Sequence, residues 1–362
     1  MAQTNFNDIL RLAQDFIAIR STQDNNKALE EVISLAIRQV PNFTIQHFKR
    51  NNKPSVLIHT EKPHTKHFKI ILNAHLDVVP GDEDQFSPYI KNDKLFGRGA
   101  YDMKTGAAIM ILLFKKIAKT VGYPLALQLV TEEEASGHDG TKLQIEKGIT
   151  ADFVIAGESS EFAIKTKAKG VVWMKVTLHG KSSHGAYTWL GDNALQKMVT
   201  LVQKLNQAYP TPKISSWQTT INIAKIETPN STFNKVPDTC TAWIDLRFIP
   251  EEEKDIIKNV RKILPLDTDV EIVFNEKPHF TDPDHHFIQQ LQKIIQKNTG
   301  KKAPLIGAHG TTDLRFYSSL ANIPGIEYGP KGGNAHGHNE WVDLKSLEQY
   351  YQILKQFLLS VK

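Results

Sequence analysis

Residues 125–137 read LALQLVTEEEASG, and no other stretch limits the fold so narrowly. Five of the first six residues are apolar and make a buried strand, which runs straight into Glu132, Glu133 and Glu134. Three adjacent carboxylates at the mouth of a core strand repel one another and cost desolvation unless something positive sits among them. The fold must therefore bring a cation to the end of this strand.

The neighbouring segments say what kind of fold that is. Ile9, Leu10, Leu12, Phe16 and Ile17 mark a first amphipathic helix, and residues 28–40 a second that Pro41 closes. Further apolar strands are expected at 55–59, 68–74 and 153–156, with an Ala-, Ile- and Leu-rich helix over 104–119. Continuous apolar strands separated by helices predict an α/β layer with a mostly parallel central sheet.

Near Lys169 the pattern changes. Strands are expected at 171–178, 221–226, 239–248 and 270–274. Helices are expected at 192–209, with Leu195, Met198, Val199, Val202 and Leu205 on one face, and at 251–264. This β-α-β-β-α-β order predicts a ferredoxin-like α+β insertion. Helical patterning resumes at 284–297 and closes the chain at 344–359. The expected organisation is a discontinuous domain, 1–168 and 279–362, with 169–278 inserted into it.

At 362 residues the chain can bury a large core in two domains. Its net charge of +5 comes from scattered lysines, with no basic block interleaved with aromatics, so no nucleic-acid partner is expected. The single cysteine, Cys240, excludes an internal disulfide and a Cys-rich zinc site. Asp8 and Arg11 interrupt the apolar pattern of the N-terminus, and no apolar run approaches a membrane span. A cytoplasmic protein without a membrane partner is the simplest expectation.

Any metal must then be held by His, Asp and Glu. The strand over 68–74 ends in His75 and Asp77, which lie two apart on one face of an extended chain. A histidine ligand commonly needs a carboxylate on its other ring nitrogen, although alone such a pair reads as a surface ion pair. Asp102, in LFGRGAYDMKTG, sits where a helix begins and by itself reads as a helix N-cap. Glu158 follows another buried strand, and His336 and His338 lie on the Gly-rich stretch GPKGGNAHGHNE. In an open α/β sheet the carboxyl ends of the strands line one edge, where ligands bind. His75, the glutamate triplet and Glu158 all fall there. Nitrogen and oxygen donors without sulfur suit zinc, with cobalt or manganese as alternatives.

Eight words in order, NAHLDVVPG, LFGRGAYDMKTG, TEEEASG, AGESS, KSSHGAY, NKVPD, GTTDLRFY and AHGHNEW, span residues 73–341. Their wording resembles the dizinc hydrolases that include acetylornithine deacetylase, succinyl-diaminopimelate desuccinylase, glutamate carboxypeptidase and the aminoacylases. The resemblance implies a zinc-peptidase-like catalytic domain carrying an inserted lid and dimerisation domain. It implies two zinc ions, one held by His75 and Glu158, the other by Glu134 and His336, with Asp102 bridging both. Asp77 would hydrogen-bond His75 from behind. The family's Thr-Asp-Glu-Glu falls on Thr131-Glu132-Glu133-Glu134, which makes Glu133 the general base and leaves Glu132 and His338 without a role.

The implied reaction is hydrolysis of an amide by a zinc-bridged water that Glu133 deprotonates. His184 would reach the oxyanion from a partner subunit of a homodimer. Tyr187, Asn234, Arg247, Gly310 and Thr311 would hold the substrate, with Arg247 as a forked carboxylate clamp. From the residues alone, Arg247 reads as a surface ion pair with Asp245. GTTDLRFY and Tyr187 look most like the desuccinylases, whereas the Arg-Arg-Gly-Ser expected there is replaced by Ala168-Lys169-Gly170-Val171. The expected substrate is a small N-acyl amino acid with its acyl group open. The rival readings are a dipeptidase or carboxypeptidase of the same family, and a binding protein that has lost its metals.

Overall fold

The computed structural model of the protein describes residues 6–362. They divide into two compact units. One comprises the chain up to Thr166 with Phe280–Ile306 and Thr312–Lys362, the other Lys167–His279 with Gly307–Thr311.

The first unit is built on a central sheet. Its middle strands, Leu125–Val130, His67–His75, Thr150–Ala156 and Gly325–Glu327, lie side by side in that order, all parallel. Lys53–His59 and Thr44–Arg50 extend one side antiparallel, and Ile164–Ala168 lies antiparallel on the other. Every residue of Leu125–Val130 is buried, as a strand covered on both faces requires. Gln128, its one polar residue, is satisfied in the core. It accepts from Asn73 Nδ2 at 2.6 Å and from the Tyr317 hydroxyl at 2.9 Å, and donates to Gln144 Oε1 at 3.0 Å. Asn73 is its register partner on the next strand, so this amide pair helps align the two strands that carry His75 and the glutamates.

Helix Phe6–Ala18 buries Ile9, Leu12, Ala13, Phe16 and Ile17, a stripe spaced for 3.6 residues per turn, and packs on helix Lys104–Ile117. That helix is buried along its length except at Lys115 and Lys116, because the sheet and the helices Phe6–Ala18 and Leu344–Ser360 surround it. Lys104, wholly buried, donates to Phe16 O and Ile19 O, both at 2.8 Å, and so joins its helix to the end of the first helix and the residue just beyond it. Burial pushes its pKa down to about 7. The second helix starts at Asn26, two residues earlier than expected, because the Asn25 side chain caps it through the Ala28 amide.

Three features escaped the sequence reading. A π-helical turn, His138–Lys142, leads into Leu143–Glu146 just after the glutamates. Leu314–Ala321 is a further helix, held by the burial of Leu314, Phe316 and Tyr317 rather than by length. A small antiparallel sheet of Gly332–Gly333, Trp341–Asp343, Lys94–Phe96 and Tyr89–Lys91 joins two segments more than two hundred residues apart. It draws the loop carrying His336 towards the turn carrying Asp102.

The second unit runs strand Gly170–His179, helix Ala194–Ala208, strands Thr220–Glu227 and Thr239–Phe248, helix Ile256–Ile263 and strand Asp269–Glu276. In the antiparallel sheet Thr239–Phe248 and Gly170–His179 are central, flanked by Thr220–Glu227 and Asp269–Glu276, which is the ferredoxin-like arrangement. Thr239–Phe248 alternates buried and half-buried residues, one face on the helices. The helix face differs from expectation. Asn193 caps the helix and Ala194, Met198, Leu201 and Leu205 are buried, while Leu195 and Val199 point outward, 37% and 50% exposed. The expected helix over 251–264 is a short 3-10 turn, Pro250–Glu252, followed by Ile256–Ile263.

Candidate metal centre

Four of the strand-end and loop positions converge on Asp102. His75 closes its strand and is buried, and Glu158 lies two residues beyond Thr150–Ala156. Asp102 is not the helix cap: Met103 occupies that position and no side chain caps the helix. The Asp102 carboxylate turns instead to the imidazoles, Oδ1 lying 3.1 Å from His75 Nε2 and Oδ2 3.4 Å from His336 Nε2. Glu158 Oε1 is 3.5 Å from the same His75 nitrogen, and Glu134 Oε2 is 3.1 Å from His336 Nε2. The result is two ligand groups, His75–Asp102–Glu158 and Asp102–Glu134–His336, each with its donor atoms within 4.8 Å of one another.

The chemistry of this cluster fits a cation. Glu134 Oε1 is buried with no hydrogen-bond partner, an orphan that costs free energy unless something coordinates it. Burial, and then repulsion from neighbouring carboxylates against the pull of His75, holds Glu133 and Glu158 well above the usual carboxylate range. Burial also works to raise Asp102, but hydrogen bonds from His336 and His75 outweigh it and hold that group far below the range. Divalent metal ions at the shared aspartate would relieve the repulsion and satisfy the orphan oxygen, and an all-N/O donor set suits zinc and its neighbours.

The three glutamates differ by their hydrogen bonds. Glu132 is buried and turns away from the cluster, accepting from Ser136 Oγ at 2.5 Å and from the Asp139 amide at 2.7 Å. It closes the loop between the strand and the π-helical turn. Gly137 within that loop has φ 69° and leaves no room for a Cβ, which would lie 2.0 Å from Asp313 Oδ1. Glu134 faces His336, and Glu133 is buried within electrostatic reach of His75, Asp313, Glu158 and Glu134.

Asp77 departs from its expected contact. His75 Nδ1 is 3.0 Å from the Asp77 backbone carbonyl, whereas the carboxylate is 3.6 Å away. That carboxylate instead accepts from the amides of Glu133 and Glu134 and from Gln23 Nε2, because the loop turns its N–H groups onto it. Gln23 was not singled out from the sequence, nor were Arg98 and Glu340, a buried pair behind Asp102. Asp313 and Arg315, also buried, lie behind the glutamate loop, where Thr141 donates to Asp313 at 2.5 Å. Burial raises Asp313 to about 6. The words GRGAYD, HNE and TTDLRF contained these charges, but nothing local marked them as buried. His338 is exposed and paired with Asp82 at 3.1 Å, apart from the ligand groups.

In the second unit, His184 bridges to Lys235, the Gly185 amide donates to Asn234 O at 2.7 Å, and the His184 and Tyr187 rings are 5.5 Å apart. His184, Tyr187 and Asn234 thus share one exposed surface. Arg247 pairs with Asp245 at 2.8 Å, the contact its residue type alone favoured. Gly310 and Thr311 belong to this unit rather than to the flanking segments where the sequence boundaries left them. Lys169 is buried there, its pKa pushed down by burial and by the like charge of Arg247.

A parallel sheet whose carboxyl edge gathers imidazoles and carboxylates into two groups around one aspartate defines a metal-dependent hydrolase. The chain belongs to Peptidase family M20/M25/M40, whose family model matches residues 71–360, and it is a hydrolase of amide bonds. It is 30% identical over 316 aligned positions to the succinyl-diaminopimelate desuccinylase of Ehrlichia ruminantium (strain Welgevonden), covering 78% of this chain and 80% of that one. Its identity to the enzyme of the same name from Buchnera aphidicola subsp. Acyrthosiphon pisum (strain Tuc7) is 28% over 384 positions, covering 97% and 99%. A tripeptidase from Staphylococcus aureus subsp. aureus mu50 shares the fold, with a TM-score of 0.80, 19% identity and 98% of each chain covered.

Proposed function

We propose that the protein hydrolyses the amide bond of a small N-acyl amino acid, as deacetylases and desuccinylases do, with two zinc ions at the shared-aspartate centre. The observation that carries this reading is the pair of potential ligand groups meeting at Asp102, with the buried Glu133 a member of neither but interacting electrostatically with His75, Glu158 and Glu134. His75 and Glu158 would hold one ion and Glu134 and His336 the other, with Asp102 shared between them. Bound zinc would supply Lewis acidity, polarising the scissile carbonyl and making water acidic near neutral pH.

Glu133 takes the proton from the attacking water and delivers it to the departing nitrogen. A carboxyl raised by burial suits a base working near neutrality. Asp77 steadies this machinery through the loop amides. In the second unit, a lid and dimerisation domain in this reading, Asn234 and Arg247 hold the substrate carboxylate, Arg247 exchanging Asp245 for it, and Tyr187, Gly310 and Thr311 contact the substrate elsewhere. His184 donates to the oxyanion across a homodimer. Apolar exposure at Tyr187, Trp189 and Leu190, next to His184, supports burial of this surface by a second copy. A cytoplasmic location accords with a lone, buried cysteine.

The desuccinylase relatives support an N-acyl substrate. The replacement of Arg-Arg-Gly-Ser by residues 168–171 weighs against a succinyl carboxylate and leaves the acyl group open, and the second reading is a dipeptidase or carboxypeptidase of the same family. A panel of N-succinyl-, N-acetyl- and dipeptide substrates, read by amine release alongside metal analysis, separates the two. Preferential release from N-acyl amino acids is expected. Turnover of dipeptides alone would select the second reading, and a protein that holds less than one divalent ion even after zinc is added sinks the dizinc centre.

A further inference from the structure

Two charged side chains behind the metal centre are buried together. Arg98 Nη1 donates to Glu340 Oε2 at 2.8 Å, with the residues 3% and 1% exposed. A buried ion pair stabilises a fold no better than an apolar pair of similar shape, so its presence needs a geometric reason. The remaining arms of the pair supply one. Glu340 Oε1 accepts the backbone amides of Tyr101 at 2.9 Å and Asp102 at 3.0 Å. Arg98 Nη2 donates to the backbone carbonyl of His336 at 3.0 Å and of Pro80 at 3.4 Å. One pair therefore grips the main chain at the shared aspartate and at a histidine more than two hundred residues away.

The two ligand groups do not need this grip equally. His75 and Glu158 follow buried strands, whose packing holds them. His336 sits on an exposed loop in which Asn334 and His336 both take left-handed φ, 59° and 63°, uncommon for residues with side chains. Apart from Arg98, this loop is tied to the 80s segment by Gln85, donating to Gly337 O at 2.9 Å and His338 O at 3.2 Å, and by the exposed pair of His338 with Asp82 at 3.1 Å. We propose that Glu340, gripped by Arg98, is a positioning residue that sets the distance between the Asp102 turn and the His336 loop, and so governs how tightly the Glu134–His336 side of the centre holds its metal. This rests on the two-metal reading above.

The test uses the full-length protein, stripped of metal and titrated with Zn²⁺ against a chromophoric chelator and with Co²⁺ by visible absorption. Wild type is compared with Arg98→Lys, which keeps the charge but loses the fork, and with Glu340→Gln. Wild type is expected to show two binding events. In both variants the first event should stay close to wild type while the second weakens roughly 10–100-fold, the usual cost of disturbing an outer partner of a metal site. Two unchanged events, or two equally weakened ones, overturn the proposal. So does a variant that fails to fold by circular dichroism even with excess metal, since the pair would then serve the fold at large. A wild type with fewer than two events instead refutes the two-metal reading, and the proposal falls with it.

Discussion

Asp77 holds Glu134 by the backbone: the Glu134 amide donates to Asp77 Oδ2 at 3.0 Å. The Glu133 amide reaches Oδ1 at 3.3 Å, and Gln23 Nε2 reaches Oδ2 at 2.7 Å. One buried carboxylate thus anchors the loop from which both the proposed base and a proposed ligand project.

An amide in its place offers one acceptor oxygen to three donors and turns its own N–H groups towards the loop amides. Asp77→Asn is expected to lose about 1–3 kcal/mol of stability, the cost of unsatisfied buried donors. Metal content should fall with it. Urea denaturation with and without added zinc measures both, and an unchanged midpoint together with full metal content would contradict the anchoring role.

Adjacent glutamates should separate cleanly. Glu133→Gln is expected to lower kcat by roughly 10²–10⁴, the typical share of general-base catalysis, with metal content close to wild type. Glu134→Ala should instead lose metal, because it removes a proposed ligand, the carboxylate facing His336. Metal analysis of both purified variants decides it, and identical behaviour would mean the division of labour is wrong.

Acid should weaken the fold at the helix His286–Thr299. His285 caps it, Nδ1 accepting the Phe287 amide at 3.3 Å, which requires a neutral ring. Burial, and then the neighbouring His286, pushes its pKa below 6.5, with Asp282 pulling the other way. Since the folded pKa lies below the unfolded one, the stabilisation is full above pH 6.5 and is lost as pH falls through the folded value. His285→Asn keeps a capping oxygen that does not titrate. Denaturation midpoints between neutral pH and mild acid should fall less steeply for the variant, and parallel curves would refute the assignment.

Much of this was legible in the chain itself. Leu125–Val130 and Thr239–Phe248 have the bounds their apolar pattern implied, because burial on one's own strand is written in local periodicity. The ferredoxin-like order followed from the same signal. Other parts left no local trace. Strands of three residues, such as Lys94–Phe96 and Trp341–Asp343, are too short for a period and exist through their pairing across the chain. Leu195 and Val199 were assigned to the wrong side of their helix, since apolar residues around most of its circumference leave the buried face to be chosen by packing.

The sequence by itself determined that a cation must meet carboxylates at the ends of buried strands, because a run of apolar residues ending in Glu132, Glu133 and Glu134 admits few other solutions. Only the tertiary structure decided which of them does what. Three identical side chains have the same local chemistry, and they differ once folding turns Glu132 onto Ser136 and the Asp139 amide, and Glu134 onto His336. The partners that make this distinction, like the Arg98–Glu340 pair, come together across the chain by packing, where no periodicity in the sequence can record them.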